Sequence, residues 1–271
     1  LDLAPLEPGA VARFAAAFDM VPAPAATEMI ARAEGNPLFL EQLLLHAGDG
    51  VRQELPGSIQ GLVLARMDRL AAADRAALQA ASVLGQRFTL DALRWMLDDP
   101  AQDCRGLLDH FLLRPDGDSL LFWHALIRDG AYAALLKARR RQLHARAAQW
   151  FRARDPALAA EHLERAEDPA AAVAYLEAAQ AQARRFHHDQ ALALIARGLP
   201  LAQEGRDRHH LLAARGQALL DANRAEEAIV AWREALATAP DVRARCRSHI
   251  GIAAGLRLLD RTTEGLEEVQ E

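Results

Sequence analysis

Three short groups of histidines and acidic residues have side chains that could bind a metal or catalyse a reaction. They are His187-His188-Asp189, His209-His210, and Glu161-His162 with Glu164. Adjacent histidines on a helix point about 100° apart and seldom bind the same ion, so we expect turn and surface roles for them. The third group lacks the His-Glu-x-x-His spacing of a zinc protease helix. The sequence contains no defensible set of nucleophile, base and orienting residue.

The groups that hydrolyse nucleotides are also missing from the sequence. No phosphate loop of the form Gly-x-x-x-x-Gly-Lys-Ser/Thr occurs, and no predicted strand ends in acidic residues that could hold Mg²⁺. We therefore expect that this chain is not an enzyme by itself. We also expect that it holds no metal and no cofactor of its own.

Composition indicates a helical protein without a strongly charged surface. Of the 271 residues, 51% are hydrophobic but only 5% are aromatic, and the excess is alanine and leucine, which favour helix. The net charge of −5 shows no basic excess, so direct nucleic-acid binding and membrane binding are not expected. Cys104 and Cys246 have no partner at metal-ligand spacing, and we expect both to be reduced and buried in a cytoplasmic protein.

The first part of the chain predicts one short strand followed by interrupted helices. Leu1–Leu6 alternates apolar and polar residues, and a helical pattern then runs from Ala10 to His46. Gly35-Asn36-Pro37 interrupts this helical pattern, because proline ends one helix and can begin the next. Ser58 is a candidate N-cap for a helix over Ile59–Leu70.

The middle of the chain predicts short helices around a β-hairpin. Arg114-Pro115-Asp116-Gly117-Asp118 is a turn signal with apolar runs on both sides, as expected for a hairpin. The predicted helices are Ala73–Leu84, Thr89–Leu97, Ala101–Leu112, Ala125–Leu136 and Arg139–Arg152. Several short helices with one hairpin are typical of a winged helix.

After about residue 157 the sequence predicts repeated helix pairs. Gly216, Ala228, Trp232, Ala235 and Pro240 have the spacing of a tetratricopeptide repeat, with Leu212 and Leu219 at its bulky first-helix positions. A shift of 37 residues leads to Ala179, Ala191 and Ile195 upstream and to Ala253, Gly265 and Val269 downstream. Small residues at these positions let paired helices approach closely, although the alanine content alone would produce some of these matches.

Four segments together resemble a known family. They are Arg32-Ala-Glu-Gly-Asn-Pro-Leu-Phe-Leu-Glu41, Leu55-Pro-Gly-Ser-Ile-Gln60, Ala65-Arg-Met-Asp-Arg-Leu70 and Phe122-Trp-His-Ala-Leu-Ile-Arg-Asp-Gly-Ala-Tyr132. This pattern resembles the region that follows the nucleotide-binding domain in bacterial STAND ATPases. Such ATPases are nucleotide-controlled switches fused to adenylate or guanylate cyclase, kinase or LuxR-type DNA-binding domains.

The resemblance implies nucleotide contacts for three residues. Asn36 and Pro37 would belong to the lid element that touches the adenine, and His124 would reach the β-phosphate of ADP. The alternatives are a simple helix-breaking turn at Pro37 and a capping or half-buried histidine beside Trp123. The sequence around His124 departs from the family's Met-His-Asp pattern, because Ala125 stands in place of the aspartate.

A nucleic-acid-binding role has two candidate segments, and we expect neither to serve it. The basic run Lys137–Arg141 continues to His144 and Arg146, but an apolar stripe beside it is typical of a solvated helix face. The third helix of the predicted winged helix, Ala101–Leu112, carries two aspartates, which would be repelled by phosphates.

We therefore predict an all-α chain in three parts: the last strand and helical lid of an ATPase module (1–54), a winged-helix-like domain (55–153) and a superhelix of tetratricopeptide-like repeats (154–271). Its expected work is to sense ATP or ADP held by an upstream nucleotide-binding domain and to bind a protein or peptide through the repeats. The alternatives are a repeat scaffold without a nucleotide role and part of a DNA-binding regulator. The first strand and the last repeat also make self-association conceivable.

Overall fold

The computed structural model describes residues 59–270 and, before them, the helical residues 10, 13, 29, 30, 33, 40, 41, 43 and 44. The predicted strand Leu1–Leu6, the interruption at Gly35-Asn36-Pro37 and the candidate cap Ser58 lie outside the described residues. The chain forms two compact units that divide after Leu136. The domain boundaries near residues 54 and 153 stay predictions. Within the described part, no helix is both long enough and apolar enough to cross a membrane.

The first unit contains five short helices and a small antiparallel sheet over residues 59–136. Its elements are α1 (Ile59–Arg69), α2 (Ala72–Leu84), β1 (Arg87–Thr89), α3 (Leu90–Leu97), α4 (Arg105–Asp109), β2 (Leu113–Asp116), β3 (Ser119–Phe122) and α5 (Ala125–Ala133). Helix α5 packs against both α1 and α2. Phe122 on β3 is fully buried and lies 5.8 Å from Phe88 on β1, measured between ring centroids.

The sheet confirms the predicted hairpin and adds one strand to it. Strands β2 and β3 pair antiparallel with Asp116 opposite Ser119, so the turn is only Gly117-Asp118 and the segment Arg114–Asp116 belongs to the strand. Strand β1 pairs with the other side of β3 in the order β1-β3-β2, and the sequence analysis missed it. It has only three residues, too few for a periodic pattern to be recognised.

The predicted helix Ala101–Leu112 is wrong in length, because only Arg105–Asp109 is helical. Side chains compete with the helix for its first amides: Gln102 Oε1 accepts a hydrogen bond from the Cys104 amide, and Asp103 Oδ1 accepts one from the Arg105 amide. Cys104 and Phe111, on either side of the short helix, both have positive φ angles, which end a right-handed helix.

The cysteines differ in environment. Burial, with the nearby carboxylates of Asp74 and Asp103, raises the pKa of the Cys104 thiol to about 12. Cys246 is exposed, so the expectation that both cysteines are buried is wrong for this one. Both are free thiols.

The second unit consists of consecutive antiparallel helices, which confirms the predicted helix-pair repeats. They are α6 (Lys137–Phe151), α7 (Pro156–Arg165), α8 (Ala171–Ala183), α9 (His188–Gly198), α10 (Arg206–Asp221), α11 (Ala225–Ala237), α12 (Val242–Leu258) and α13 (Thr262–Gln270), with a 3₁₀ turn at Leu199–Leu201. Each helix packs against the next one along the chain. The first helices of successive pairs also contact each other, α8 with α10 and α10 with α12.

One aromatic residue joins two of these helix pairs. Trp232 on α11 is 4% exposed, and its indole lies against Gly216 of α10 and Gly251 of α12. A Cβ placed on Gly216 would lie 2.6 Å from the indole Nε1, and one placed on Gly251 would lie 2.7 Å from the same atom. The indole therefore fills the space that two missing side chains leave between adjacent first helices.

The repeat positions predicted by the shift of 37 residues are buried upstream of α10 and α11, whereas only some of them are buried downstream. Ala179, Ala191 and Ile195 are buried, as the shift of 37 residues predicts. Gly265 is buried as well, but Val269 is 58% exposed.

We predict that Gly251→Ala lowers the free energy of unfolding by about 1–3 kcal/mol, because the added methyl group overlaps the Trp232 ring and overpacks the core. Gly265→Ala is the matched control, since a Cβ there meets its nearest atom at 3.4 Å, an ordinary contact. We expect this control to be neutral or stabilising by up to about 1 kcal/mol through helix propensity. Urea unfolding of both variants measures the difference, and equal stabilities would contradict the packing described.

Candidate functional site

The structure brings two of the family-like segments into contact at His124. This residue follows β3 and occupies the N-cap position of α5, but its side chain does not cap the helix. Its Nε2 lies 2.8 Å from Oε2 of Glu41, and Trp123 Nε1 donates to Oε1 of the same carboxylate at 3.4 Å. Glu41 ends the segment Arg32–Glu41, so the lid-like and winged-helix-like motifs meet at one carboxylate.

This arrangement only partly fits a nucleotide phosphate. The imidazole of His124 is half-buried and can donate a hydrogen bond, as the resemblance requires. Its Nε2, however, is bonded to Glu41, and a carboxylate at that position repels an approaching phosphate. The Arg114 guanidinium, 6.0 Å from the Trp123 ring centroid, adds positive charge nearby. Asn36 and Pro37 lie outside the described residues, so their nucleotide contacts stay predictions.

A larger candidate site is a groove of about 620 Å³ in the second unit. Its walls come mainly from α8, α10 and α12, the first helices of successive pairs. Small side chains form much of the surface, among them Ala179, Ala183, Ala213, Ala214, Gly251 and Ala254. The volume lies within the range of about 300–1,000 Å³ that is typical of ligand sites.

The polar groups of the groove include donors and acceptors: Trp232 and Arg247 only donate hydrogen bonds, and Asp221 only accepts them. Trp232 lines it, and the buried indole Nε1 has no hydrogen-bond partner among the described residues. Arg247 and His210 also line it, and burial and the neighbouring His209 lower the pKa of His210. The carboxylate of Asp221 in the groove accepts a hydrogen bond from Gln217 at 2.8 Å.

The three histidine groups differ in burial and in partners. In the part of the chain that the structure describes, no three histidine, cysteine or acidic residues could hold a metal ion. The expectation of turn and surface positions is wrong for His209, which is buried with its Nδ1 2.9 Å from the carbonyl oxygen of Ala235. This bond ties α10 to the end of α11, so the residue has a packing role.

The third group also packs helices together. Arg197 on α9 pairs with Glu161 at 2.6 Å and with Glu164 at 2.8 Å, both on α7. The Tyr175 hydroxyl on α8 donates to Glu164 at 2.5 Å. Burial and this hydrogen bond raise the pKa of Tyr175. The hydrogen bonds that Glu164 accepts from Tyr175 and Arg197 lower the pKa of Glu164. The cluster joins three consecutive helices. The sequence singled out Glu161 and Glu164 but not their partners Tyr175 and Arg197, which are distant from them in the chain.

A second buried contact joins α6 to α7 through two histidines. His144 and His162 are buried, and their Nδ1 atoms are 2.9 Å apart, so one ring donates to the other. The His162 ring also stacks on Phe151 with centroids 5.4 Å apart. Burial lowers the pKa of both histidines, and the nearby Arg165 lowers it further. Both rings are therefore held in the neutral form.

No family model matches the sequence, and no curated protein matches it. A crystal structure of a signal transduction ATPase with numerous domains (STAND) protein with a tetratricopeptide repeat sensor, from Pyrococcus horikoshii, aligns with 98% of this chain at 12% identity and a TM-score of 0.49. The chain spans 48% of that protein. Likeness at this level does not transfer a function.

We predict that the histidine pair makes the protein lose stability in mild acid. In the unfolded chain both histidines gain a proton as the pH falls below the ordinary pKa of 6.5, whereas the folded chain keeps them neutral. Each histidine therefore lowers the free energy of unfolding by up to about 2 kcal/mol at pH 5 and leaves it unchanged at pH 8.

Urea unfolding between pH 8 and pH 5 tests this prediction with the double variant His144→Leu, His162→Phe. We expect a shallower loss of stability than in the wild type, while His187→Gln, at an exposed position, keeps the wild-type slope. An NMR titration of the ring protons of both histidines makes the same test in the wild-type protein, where we expect neither ring to titrate near pH 6.5. A titration of either ring near pH 6.5 in the folded state would contradict the prediction.

Proposed function

We propose that this chain is a regulatory and interaction segment of a STAND-type signalling ATPase, and that it binds a protein or peptide in the groove of its helical repeats. The observation that carries the binding role is the groove itself, which has a volume of about 620 Å³ and is lined largely by small side chains.

The groove suits a peptide because small residues on α8, α10 and α12 form much of its surface. Alanine and glycine leave room for an incoming side chain, and Leu176 and Ile250 supply apolar contact. Repeats of paired helices present such extended concave surfaces to partners. We assign the groove no catalytic role, because it contains no nucleophile with an adjacent base.

Binding of nucleic acid is less well supported by the same structure. The basic run on α6 uses two of its cations within the unit: Lys137 and Arg141 pair with Glu167 at 2.8 Å and 2.5 Å. Of the predicted third helix of the winged helix, Ala101–Leu112, only α4 is helical, and it has five residues and ends at Asp109. Two cations of the basic run are therefore neutralised within the unit, and α4 is too short to serve as a recognition helix.

The nucleotide-sensing part of the proposal rests on the contact between His124 and Glu41. Because the phosphate oxygen of ADP and the Glu41 carboxylate would compete for the same Nε2–H, the two partners define two arrangements of lid and winged-helix-like segment. Nucleotide bound by an upstream domain would favour one arrangement over the other. Pro37 would add an apolar contact to the adenine.

To test the groove, random peptides are selected by display on the whole 271-residue chain, and their affinities are measured by fluorescence polarisation. We predict that Ala214→Trp, which fills the groove, weakens the selected peptides at least about tenfold, equivalent to about 1.4 kcal/mol. Ala193→Trp on the exposed side of α9 is the matched control and leaves affinity unchanged. Equal affinities for both variants, or no selected peptide, would contradict a peptide-binding groove.

To test nucleotide sensing, ADP affinity is measured by calorimetry in the ATPase that carries this segment. We predict that the double variant Pro37→Ala, His124→Ala weakens ADP binding about tenfold or more, because a charge-assisted hydrogen bond and an apolar contact are lost. His188→Ala in the repeats is the control. Unchanged ADP affinity would contradict nucleotide sensing and would favour the alternative, a repeat scaffold without a nucleotide role.

A further inference from the structure

The turns inside three successive helix pairs share one backbone conformation. Phe186 lies between α8 and α9, Asn223 between α10 and α11, and Asp260 between α12 and α13, and their φ angles are 62°, 58° and 57°. In each turn the amide of the following residue donates to a carbonyl oxygen five residues earlier. Asparagine and aspartate tolerate this left-handed conformation, whereas a bulky aromatic residue rarely adopts it. Phe186 is therefore the exception among the three turns.

The Phe186 side chain contributes little to the packing of its own chain. It is 81% exposed, and its ring meets the edge of the His188 ring with centroids 6.2 Å apart. A strained backbone position at an exposed aromatic residue points to a use outside the fold, because asparagine would make the same turn at lower cost. Burial of the ring against another molecule supplies that use.

The residues beside Phe186 give this turn a positive charge. Arg184 and Arg185 are exposed, and among the described residues neither guanidinium has an ion-pair or hydrogen-bond partner. The nearest acidic residue in sequence, Asp189, interacts electrostatically with Arg224 of the next helix pair. The aromatic tip, residues 184–187, thus presents an apolar ring together with unpaired positive charge.

A pocket in the same unit matches this tip in size. It has a volume of about 240 Å³ and lies between α6, α7 and α8. Small-molecule sites usually have about 300–1,000 Å³, so this pocket suits a single large side chain better than a ligand. Its apolar walls include Ala148, Ala159, Leu163, Val173 and Ala174.

The charged residues of the α6–α8 pocket complement those of the tip. Two carboxylates, Asp168 and Glu177, line it with one arginine, Arg152. Asp168 Oδ1 accepts a hydrogen bond from the Ala170 amide at 2.8 Å. Glu177 is exposed and has no ion-pair or hydrogen-bond partner among the described residues. Its carboxylate can accept the two parallel hydrogen bonds of a guanidinium.

We infer that two copies of this chain associate by placing Phe186 of each copy in the α6–α8 pocket of the other, with an arginine of the tip bound to Glu177. Tip and pocket belong to the same unit, so a two-fold pair uses each of them once per copy. Nucleic acid or an anionic membrane is a poorer occupant for the tip, because two arginines are a small positive footprint on a chain of net charge −5. No described residue lines both this pocket and the repeat groove, so the inference is independent of peptide binding.

Sedimentation equilibrium of the whole chain tests the association at concentrations up to about 1 mM, where even a millimolar contact is substantially formed. We expect a monomer–dimer equilibrium that weakens with added salt. Phe186→Asn should weaken it about a hundredfold, because the pair loses two contacts of about tenfold each. In urea unfolding this variant should be at least as stable as the wild type, which separates lost association from lost folding. Ala193→Trp, exposed and outside the pocket, is the control and leaves association unchanged.

Mixing two variants tests the specific pairing of tip and pocket. Ala174→Trp fills the pocket, and Glu177→Arg, at an exposed position, reverses its charge without disturbing the packing. We expect each variant alone to dimerise poorly. An equimolar mixture of Phe186→Asn with either pocket variant keeps one intact tip and one intact pocket, so mixed dimers should form about tenfold more weakly than the wild type.

A wild-type chain that stays monomeric overturns the inference, as does a dimer that Phe186→Asn does not weaken or a mixture that forms no mixed dimers. A monomeric chain that sediments with phosphatidylserine vesicles only when Phe186 is present would assign the tip to a membrane instead.

Discussion

The second unit depends on the contact of one indole with two glycines. Trp232 stands on the second helix of its pair and reaches between the first helices of two pairs, where Gly216 and Gly251 leave room for it. The contact sets how closely α10 and α12 approach the ring, which also lines the groove. The same side chain therefore belongs both to the packing of the repeats and to the lining of the groove.

Polar contacts add specificity to this alanine-rich packing. Alanine faces alone slide past one another easily, since they offer little shape to interlock. The His144–His162 contact joins α6 to α7, the cluster around Arg197 joins α7, α8 and α9, and His209 bonds to the end of α11. Each of these contacts ties a particular residue on one helix to a particular residue on another. They therefore fix the register that the small residues leave open.

Local patterns in the sequence predicted much of the fold. The helix pair α10 and α11 was predicted from the spacing around Gly216 and Trp232, because the residues that pack together recur at fixed intervals. The hairpin of β2 and β3 was predicted from its turn. Strand β1 escaped because three residues carry no period, and the helix at Ala101–Leu112 was too long because side-chain bonds from Gln102 and Asp103 displaced its first turn.

The candidate sites were less accessible to sequence reasoning than the fold. His124 was singled out, but its bond to Glu41 joins residues that are far apart in the chain. The groove joins side chains from five helices, and Arg247 carries no local signal that distinguishes it from the other arginines of α12. Burial of His162 and His209 likewise depends on neighbouring helices. Such features arise from tertiary packing, which spacing alone does not encode.

The central claim is that the repeat groove is the binding surface of this chain. Methyl-resolved NMR spectra of the whole chain, recorded with and without a display-selected peptide, test it most directly. We predict shifts at Ala213, Ile250 and Ala254, which line the groove, and none at Ile127 or Met96 in the core of the first unit. Shifts confined to the first unit, with the groove methyl groups unmoved, would contradict the claim.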